Sequence, residues 1–188
     1  MSASYKVLLV CSLFLFSLFI PIFSSSLYES NDSSEILKDS VLSAFDNYSP
    51  ISISGNSDFS TKASNFGWQG NGSEQNPYII TQINITQHNT PINLLEVDNT
   101  EVYFIINASL FVGGADAIHL TNVANGRIVY NTIYHTISSG IYFSNCVNCT
   151  IENNTITDNA NRGILIDFSE NCTVEENTIE DCTGDGLK

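Results

Sequence analysis

Apolar residues recur along this chain at a fixed interval of 23 positions. Leu95, Ile118, Ile141, Ile164 and Leu187 form one series, and Val97, Leu120, Phe143 and Ile166 form a second in the same register. Ile105, Ile128, Ile151 and Val174 make a third column, and Leu110, Ile133, Ile156 and Ile179 a fourth. A polar column, Asn131, Asn154 and Asn177, and a glycine column, Gly140, Gly163 and Gly186, keep the same step. Within each interval the pattern is short-ranged. In Gly140-Ile-Tyr-Phe-Ser-Asn145, Ile141 and Phe143 alternate with Tyr142 and Ser144, the period of a strand with one buried face. Asn, Asp, Gly and Ser fill the gaps and mark turns. No segment is long enough, or helical enough in period, to form a crossover helix.

A fixed period of this length is the signature of a stacked repeat. One coil cannot bury its own inward side chains. Coils stacked about 4.8 Å apart pair their strands in parallel and merge the inward residues into continuous apolar columns. The pattern therefore predicts an all-β, right-handed parallel β-helix of 23-residue coils over residues 92–188. The asparagine column should form a ladder of amides at a turn. The glycine column should mark a backbone bend that other residues resist. Leucine-rich repeats have a similar period, but they need a Leu-x-x-Leu-x-Leu spacing that is missing here.

Upstream of the repeat the character changes. Lys6 precedes an apolar run from Val7 to Phe23, followed by Ser24, Ser25 and Ser26. This reads as an export signal over residues 1–26, with an uncleaved N-terminal anchor as the competing reading. Residues 27–50 read as a polar linker, with a weakly amphipathic patch from Ile36 to Phe45. Residues 51–91 read as an N-terminal cap with the first strands, Ile51-Ser-Ile-Ser54 among them. The repeat stops inside a coil at Lys188, so further coils are expected in the intact protein.

Composition narrows the function. The chain has 188 residues, 43% of them hydrophobic, and a formal net charge of −14. That apolar content suits a packed core, and the acidity excludes a nucleic-acid partner, because nothing could neutralise phosphates. Export permits disulfides and glycans. Of the Asn-X-Ser/Thr sequons, Asn71, Asn84, Asn107 and Asn148 are the candidate acceptors; others begin at Asn31, Asn47, Asn153 and Asn171.

The coils Gly140-Ile-Tyr-Phe-Ser-Asn-Cys-Val-Asn-Cys-Thr-Ile-Glu-Asn-Asn-Thr-Ile156 and Gly163-Ile-Leu-Ile-Asp-Phe-Ser-Glu-Asn-Cys-Thr-Val-Glu-Glu-Asn-Thr-Ile179 resemble the NosD-like, pectate-lyase-type superfamily of parallel β-helix proteins. The resemblance covers 117–188 well and 92–116 more loosely. Trp68-Gln-Gly-Asn-Gly-Ser-Glu-Gln-Asn-Pro-Tyr-Ile-Ile80 is similar to the lead-in of archaeal and bacterial surface β-helix proteins, where it caps the N-terminal end of the stack. An open end exposes unpaired strand edges, so a cap is physically required. A phosphate loop at Gly70 and Gly72 is the weaker reading, since no Lys follows. The superfamily contains sugar lyases, glycosidases, epimerases and non-enzymatic adhesive proteins, so the resemblance alone does not give a function.

Candidate chemistry is sparse. Stacking places Glu152 over Glu175 and Asp158 over Asp181, with Asp167 and Asp185 as further acids. These are either solvated turn residues, or an acid–base pair or calcium site; calcium is the one cofactor the pattern admits. The catalytic set of the superfamily's polygalacturonases is absent. Arg162 stacks under Asp185 and reads as a surface ion pair. His88, His119 and His135 read as exposed polar residues, and with Met1 the only methionine a soft-ligand copper site is unsupported. Cys149 and Cys172 stack, either as an inter-coil disulfide or as buried thiols. Tyr130, Tyr134, Tyr142 and Phe111, with Tyr134 and Phe111 in one column, read either as ordinary partly buried turn residues or as an outward strip on which a sugar ring could stack. No catalytic, cofactor-binding or metal residue is assigned.

The expected function is an exported or surface-attached β-helix scaffold, non-enzymatic, that binds carbohydrate or another cell-surface component. The alternatives are a polysaccharide lyase or hydrolase whose site lies in missing coils, and a NosD-like accessory protein for metal delivery. Contact with a membrane is expected only through an uncleaved N-terminal segment.

Overall fold

The computed structural model describes residues 46–88 and 90–188. The signal or anchor at 1–26, the patch from Ile36 to Phe45 and the sequon at Asn31 lie outside the described residues. Among the described residues no helix is long and apolar enough to cross a membrane.

The chain is a parallel β-helix. Its first sheet holds β1 (Asp46–Tyr48), β4 (Ile83–Gln87), β7 (Leu110–Gly113), β10 (Thr132–Tyr134), β13 (Thr155–Thr157) and β16 (Thr178–Glu180). The second holds β2 (Ile51–Ser54), β5 (Leu95–Thr100), β8 (Ile118–Val123), β11 (Ser139–Ser144) and β14 (Arg162–Asp167). The third holds β3 (Tyr78–Thr81), β6 (Phe104–Asn107), β9 (Gly126–Val129), β12 (Thr150–Glu152) and β15 (Thr173–Glu175). The chain visits the second, third and first sheets in turn, and every pairing between neighbouring strands is parallel. The stretch read as a linker thus gives its last residues to β1, and the coil stack begins before Leu95.

Inward residues fill the tube. Leu95, Ile118, Ile141 and Ile164 stack in register and are fully buried. Burying a side chain of this size contributes about 1.5–3 kcal/mol. This column, with the equally buried columns of Val97, Leu120 and Phe143 and of Ile106, Ile128 and Ile151, holds the coils together.

Two of the expected columns shift by one residue in the coil of β5, β6 and β7. Ile106, and not Ile105, pairs with Ile128, and Phe111, and not Leu110, pairs with Ile133. The cause is a pair of compensating changes. The corner between Thr100 and Phe104 is one residue longer than the one between Val123 and Gly126, and the segment from Phe111 to Ile118 is one residue shorter than that from Ile133 to Ile141. The total of 23 survives, but the sheets between change register, and a one-residue slip reverses which face a side chain takes. Phe111 is accordingly fully buried, and Tyr134 pairs with Val112.

A helix the sequence pattern did not announce interrupts the first described coil. α1 (Gly55–Phe66) lies between β2 and β3 and buries Phe59 and Ala63. Phe59 packs between Tyr78 and Phe104, each 5.1 Å away between ring centres. β2 is the end strand of its sheet and β3 that of the third, so this ring seals the core where the stack opens. The Asp58 carboxylate accepts from the Ser54 N–H at 2.9 Å, and Gly67 ends the helix at φ 70°, a left-handed position suited to glycine. The lead-in from Trp68 folds back on β3 as a short antiparallel pairing of Gln69 with Ile79.

The glycine column acts differently from the sequence expectation. Gly140, Gly163 and Gly186 are not among the positive-φ residues. A Cβ on Gly140 would lie 2.6 Å from Ile156 Cγ2 and 2.7 Å from the Gly163 carbonyl. Gly140 and Gly163 are small because the first sheet's isoleucines and the next glycine's carbonyl press against them; at Gly186 Ile179 stays at ordinary contact distance.

Many of the left-handed corners fall to asparagine instead. Asn99, Asn122, Asn125, Asn145, Asn148, Asn153 and Asn171 all have positive φ, which asparagine tolerates better than most residues. The corners account for part of the chain's Asn content.

Candidate functional site: the outer face of the second sheet

Each strand of the second sheet turns alternate residues outward. Ser52, Glu96, His119, Tyr142 and Leu165 form one outer row, and Ser54, Asp98, Thr121, Ser144 and Asp167 the next. From Glu96 to Asp167 these residues are half-buried. These rows bring together titratable side chains, Glu96, Asp98, His119, Tyr142 and Asp167, on one face.

The grouping is tied together from its edge. Asp116, just before β8, is buried. Its Oδ1 accepts from the Ser139 N–H at 2.8 Å, and its Oδ2 lies 2.9 Å from His119 Nδ1. His119 Nε2 lies 3.1 Å from Thr121 Oγ1. Asn93 Nδ2 donates to Glu96 Oε1 at 3.2 Å, and Asn93 Oδ1 accepts from the Asp116 N–H at 3.3 Å. The Tyr142 ring meets the His119 ring edge-on at 4.7 Å, and its hydroxyl donates to Asp167 Oδ2 at 3.4 Å.

The electrostatics follow from this geometry. Burial alone would raise the Asp116 pKa, but hydrogen bonds from His119, Ser139 and Ser138 outweigh it and hold the carboxyl below its ordinary value. Burial would lower His119; the Asp116 hydrogen bond and charge, with Glu96 and Asp98 behind them, raise it. Burial and repulsion from Glu96 raise Asp98, against the pull of His119. His119 is thus an anchored residue, not the lone exposed histidine of the sequence reading.

Asp116, His119 and Thr121 stand in the order of an acid, a base and a hydroxyl nucleophile. β8 is paired on both sides, to β5 and β11. Its backbone N–H groups are spent in those ladders and offer no pair of free donors for an oxyanion. The arrangement suits holding a ligand's hydroxyls better than attacking a carbonyl.

The other candidate residues lie apart from this face. Asn131, Asn154 and Asn177 stack inside the turn before the first sheet: Asn131 Nδ2 donates to Asn154 Oδ1 at 3.0 Å, and Asn154 Nδ2 to Asn177 Oδ1 at 3.0 Å. Glu152 does sit over Glu175, and Arg127 approaches Glu152 at 3.5 Å. Asp158 lies 4.0 Å from the exposed His135 and shares a shallow open depression with Asp181. Arg162 makes no ion pair with Asp185 among the described residues; Asp185 pairs with Lys188 at 3.7 Å, and Arg162 Nε is buried without a partner. Tyr130 is outward and exposed, on the side of the third and first sheets.

All four described cysteines are free. Cys149 and Cys172 donate to carbonyls of the coil below, Val123 and Cys146 respectively. The Cys149 thiol beside Cys146 brings Cys146 down to about 7 and is itself pushed up, and burial raises Cys172. Of the sequons, Asn71 and Asn148 are exposed. Asn84 is buried and its amide nitrogen donates to Asn47 Oδ1 at 2.7 Å, which removes it as an accessible acceptor. Asn107 is half-buried, with its Oδ1 sealed from solvent and unpartnered.

A stack of parallel coils with this register defines a parallel β-helix protein. The family model described as periplasmic copper-binding protein (NosD) matches residues 49–188, and the chain belongs to that family. No curated protein and no solved structure matches the chain. The periplasmic setting in that description agrees with an exported protein. Copper is a different matter. Among the described residues no three His, Cys, Asp or Glu side chains converge on a metal position. Both ring nitrogens of His119 are engaged, and the Cys146 and Cys149 thiols are buried and aimed at carbonyls. These residues do not fit a resident copper ion.

Proposed function

We propose that this is an exported, non-enzymatic β-helix scaffold that binds carbohydrate through the outer face of its second sheet. The observation that carries the reading is Tyr142. Its ring stands half-buried on that face, braced by His119 at 4.7 Å and by Asp167 at 3.4 Å. An aromatic ring with a polar tip, held in place before binding, presents apolar area at little entropic cost. Around it, Glu96, Asp98, Thr121, Ser144 and Asp167 supply acceptors and hydroxyls for sugar hydroxyls. The carboxylates on the face, and the net charge of −14, oppose anionic sugars such as uronates and favour uncharged ones.

Affinity electrophoresis of the full chain in gels containing uncharged polysaccharides tests this. Retardation is expected with at least one of them and not with polygalacturonate. Tyr142→Ala should weaken it at least tenfold while leaving the far-ultraviolet dichroism unchanged. Absence of retardation by any glycan, or unaltered retardation of the variant, would overturn the proposal.

A further inference from the structure

The corner that follows the second sheet is left-handed in every described coil. Gly55 stands there at φ 81°, Asn99 at 54°, Asn122 at 52°, Asn145 at 54° and Phe168 at 49°. Their equivalence follows from the pairing of the residues before them, Ser54 with Asp98, Asp98 with Thr121, Thr121 with Ser144 and Ser144 with Asp167. Glycine fits because it has no Cβ. The asparagines fit because they tolerate this backbone and bond to one another. Asn122 Nδ2 donates to Asn99 Oδ1 at 2.9 Å, and Asn145 Nδ2 donates to Asn122 Oδ1 at 2.6 Å.

Phe168 breaks this row. A bulky side chain at positive φ is strained, and a phenyl ring cannot continue the amide ladder. Nor does the ring contribute to the core. It is 89% exposed, the highest value of any large hydrophobic residue among those described, with Tyr130 next at 64%. The described coils bury little of the phenylalanine ring, and asparagine was the residue used one, two and three coils below.

What the ring does have is a neighbourhood. Phe168 directly follows Asp167, whose carboxylate accepts from the Tyr142 hydroxyl at the edge of the face described above. Ser144 pairs with Asp167 on the adjacent strand. An open aromatic ring at the corner, next in the chain to a carboxylate that itself adjoins a phenol and a hydroxyl, offers the two sides of a pyranose their counterparts, an apolar surface for its C–H face and polar groups for its hydroxyl rim. The one cation that continues the outer row, Lys188 beside Leu165, is paired with Asp185 at 3.7 Å, whereas Asp167 and the exposed Glu170 add negative charge that would repel a uronate.

We propose that Phe168 is the stacking platform of a sugar subsite at the edge of the second sheet, taking a ring of an uncharged polysaccharide, with Asp167 accepting from its hydroxyls. This rests on the carbohydrate-binding reading and extends it to a named contact that the sequence pattern treats as a ladder position.

The substitution Phe168→Asn separates ligand binding from folding. It restores the residue type used at this corner in the preceding coils, so it should hold or raise the melting temperature. Full-chain protein, Phe168→Asn, Phe168→Trp and Tyr142→Ala are compared by affinity electrophoresis against hydroxyethylcellulose, galactomannan and dextran. Phe168→Asn should lose at least tenfold in affinity for whichever glycan the native chain binds, and Phe168→Trp should keep it. Native-like binding by Phe168→Asn overturns the platform, and the wider reading then stands if Tyr142→Ala still loses binding. A fall in the melting temperature of Phe168→Asn by several degrees also overturns it, because the ring would then belong to the fold. Failure of the native chain to bind any of the three removes the wider reading together with the platform.

Discussion

Asn154 and Asn177 are joined twice: Asn177 Oδ1 accepts from the Asn154 side-chain amide at 3.0 Å and from the Asn154 backbone N–H at 2.9 Å. The same double contact links Asn131 to Asn154, and each Nδ2 also reaches a carbonyl of the coil below, Ile106 for Asn131 and Ile128 for Asn154. The ladder thus satisfies backbone groups that the turn would otherwise bury without partners.

Asn154→Ala removes these contacts from a buried position and leaves the Asn131 N–H and the Ile128 carbonyl unpaired. A loss of about 3 kcal/mol is expected, since each buried group left without a partner costs about 1–3 kcal/mol. Asn177→Ala, at a half-exposed rung, should lose less because water can replace the amide. Urea unfolding with an unchanged slope measures both. Equal losses at the two positions would show that burial does not set the ladder's contribution.

Gly140→Ala tests the close approach between sheets. The added methyl would meet Ile156 Cγ2 and the Gly163 carbonyl, and overpacking of this kind costs about 1–3 kcal/mol. A neutral or stabilising result would mean that the first and second sheets can separate at no cost.

The His119–Asp116 pair makes stability depend on pH in a defined direction. His119 has its folded pKa raised above the ordinary 6.5. Its contribution is therefore fully present below pH 6.5 and is lost as the pH rises through the folded value. Asp116 is held below its ordinary 3.8, so its contribution is present above 3.8 and disappears as the pH falls through its folded value. His119→Gln should flatten the decline in melting temperature above pH 6.5. An undiminished slope in that variant would assign the decline to other groups.

Thiol accessibility should follow burial. Cys146 and Cys149 are sealed, whereas Cys172 and Cys182 are half-buried. The lowered pKa of Cys146 does not help a reagent that cannot reach it. Alkylation of the folded, reduced protein followed by mass spectrometry should modify Cys172 and Cys182 first. Early labelling of Cys146 would contradict the packing of the turn after β11.

The second sheet was legible in the sequence because nothing disturbs its step: Leu95, Ile118, Ile141 and Ile164 are true neighbours. The third and first sheets were misread in one coil because a longer corner at Glu101–Tyr103 is compensated before Ile118, so the count of residues hides the change of register. α1 escaped notice because only Phe59 and Ala63 of its residues are buried, too few to print a helical period. Its ends were visible, however, in Ser54 with Asp58 and in Gly67.

The site was less legible than the fold. Asp116 and His119 lie three residues apart, yet their contact depends on the bend that leads into β8, which no period encodes. The row Asn99, Asn122 and Asn145, and its break at Phe168, keep the 23-residue step. That signal was available, but it sits at a corner where attention to inward residues does not fall.

The central claim, that the outer face of the second sheet takes a carbohydrate, is tested most directly by amide hydrogen exchange with and without a bound uncharged polysaccharide. Protection is expected to concentrate in β8, β11 and β14 and in the corner at Phe168. Protection confined to the first or third sheet, or none on binding, would contradict it.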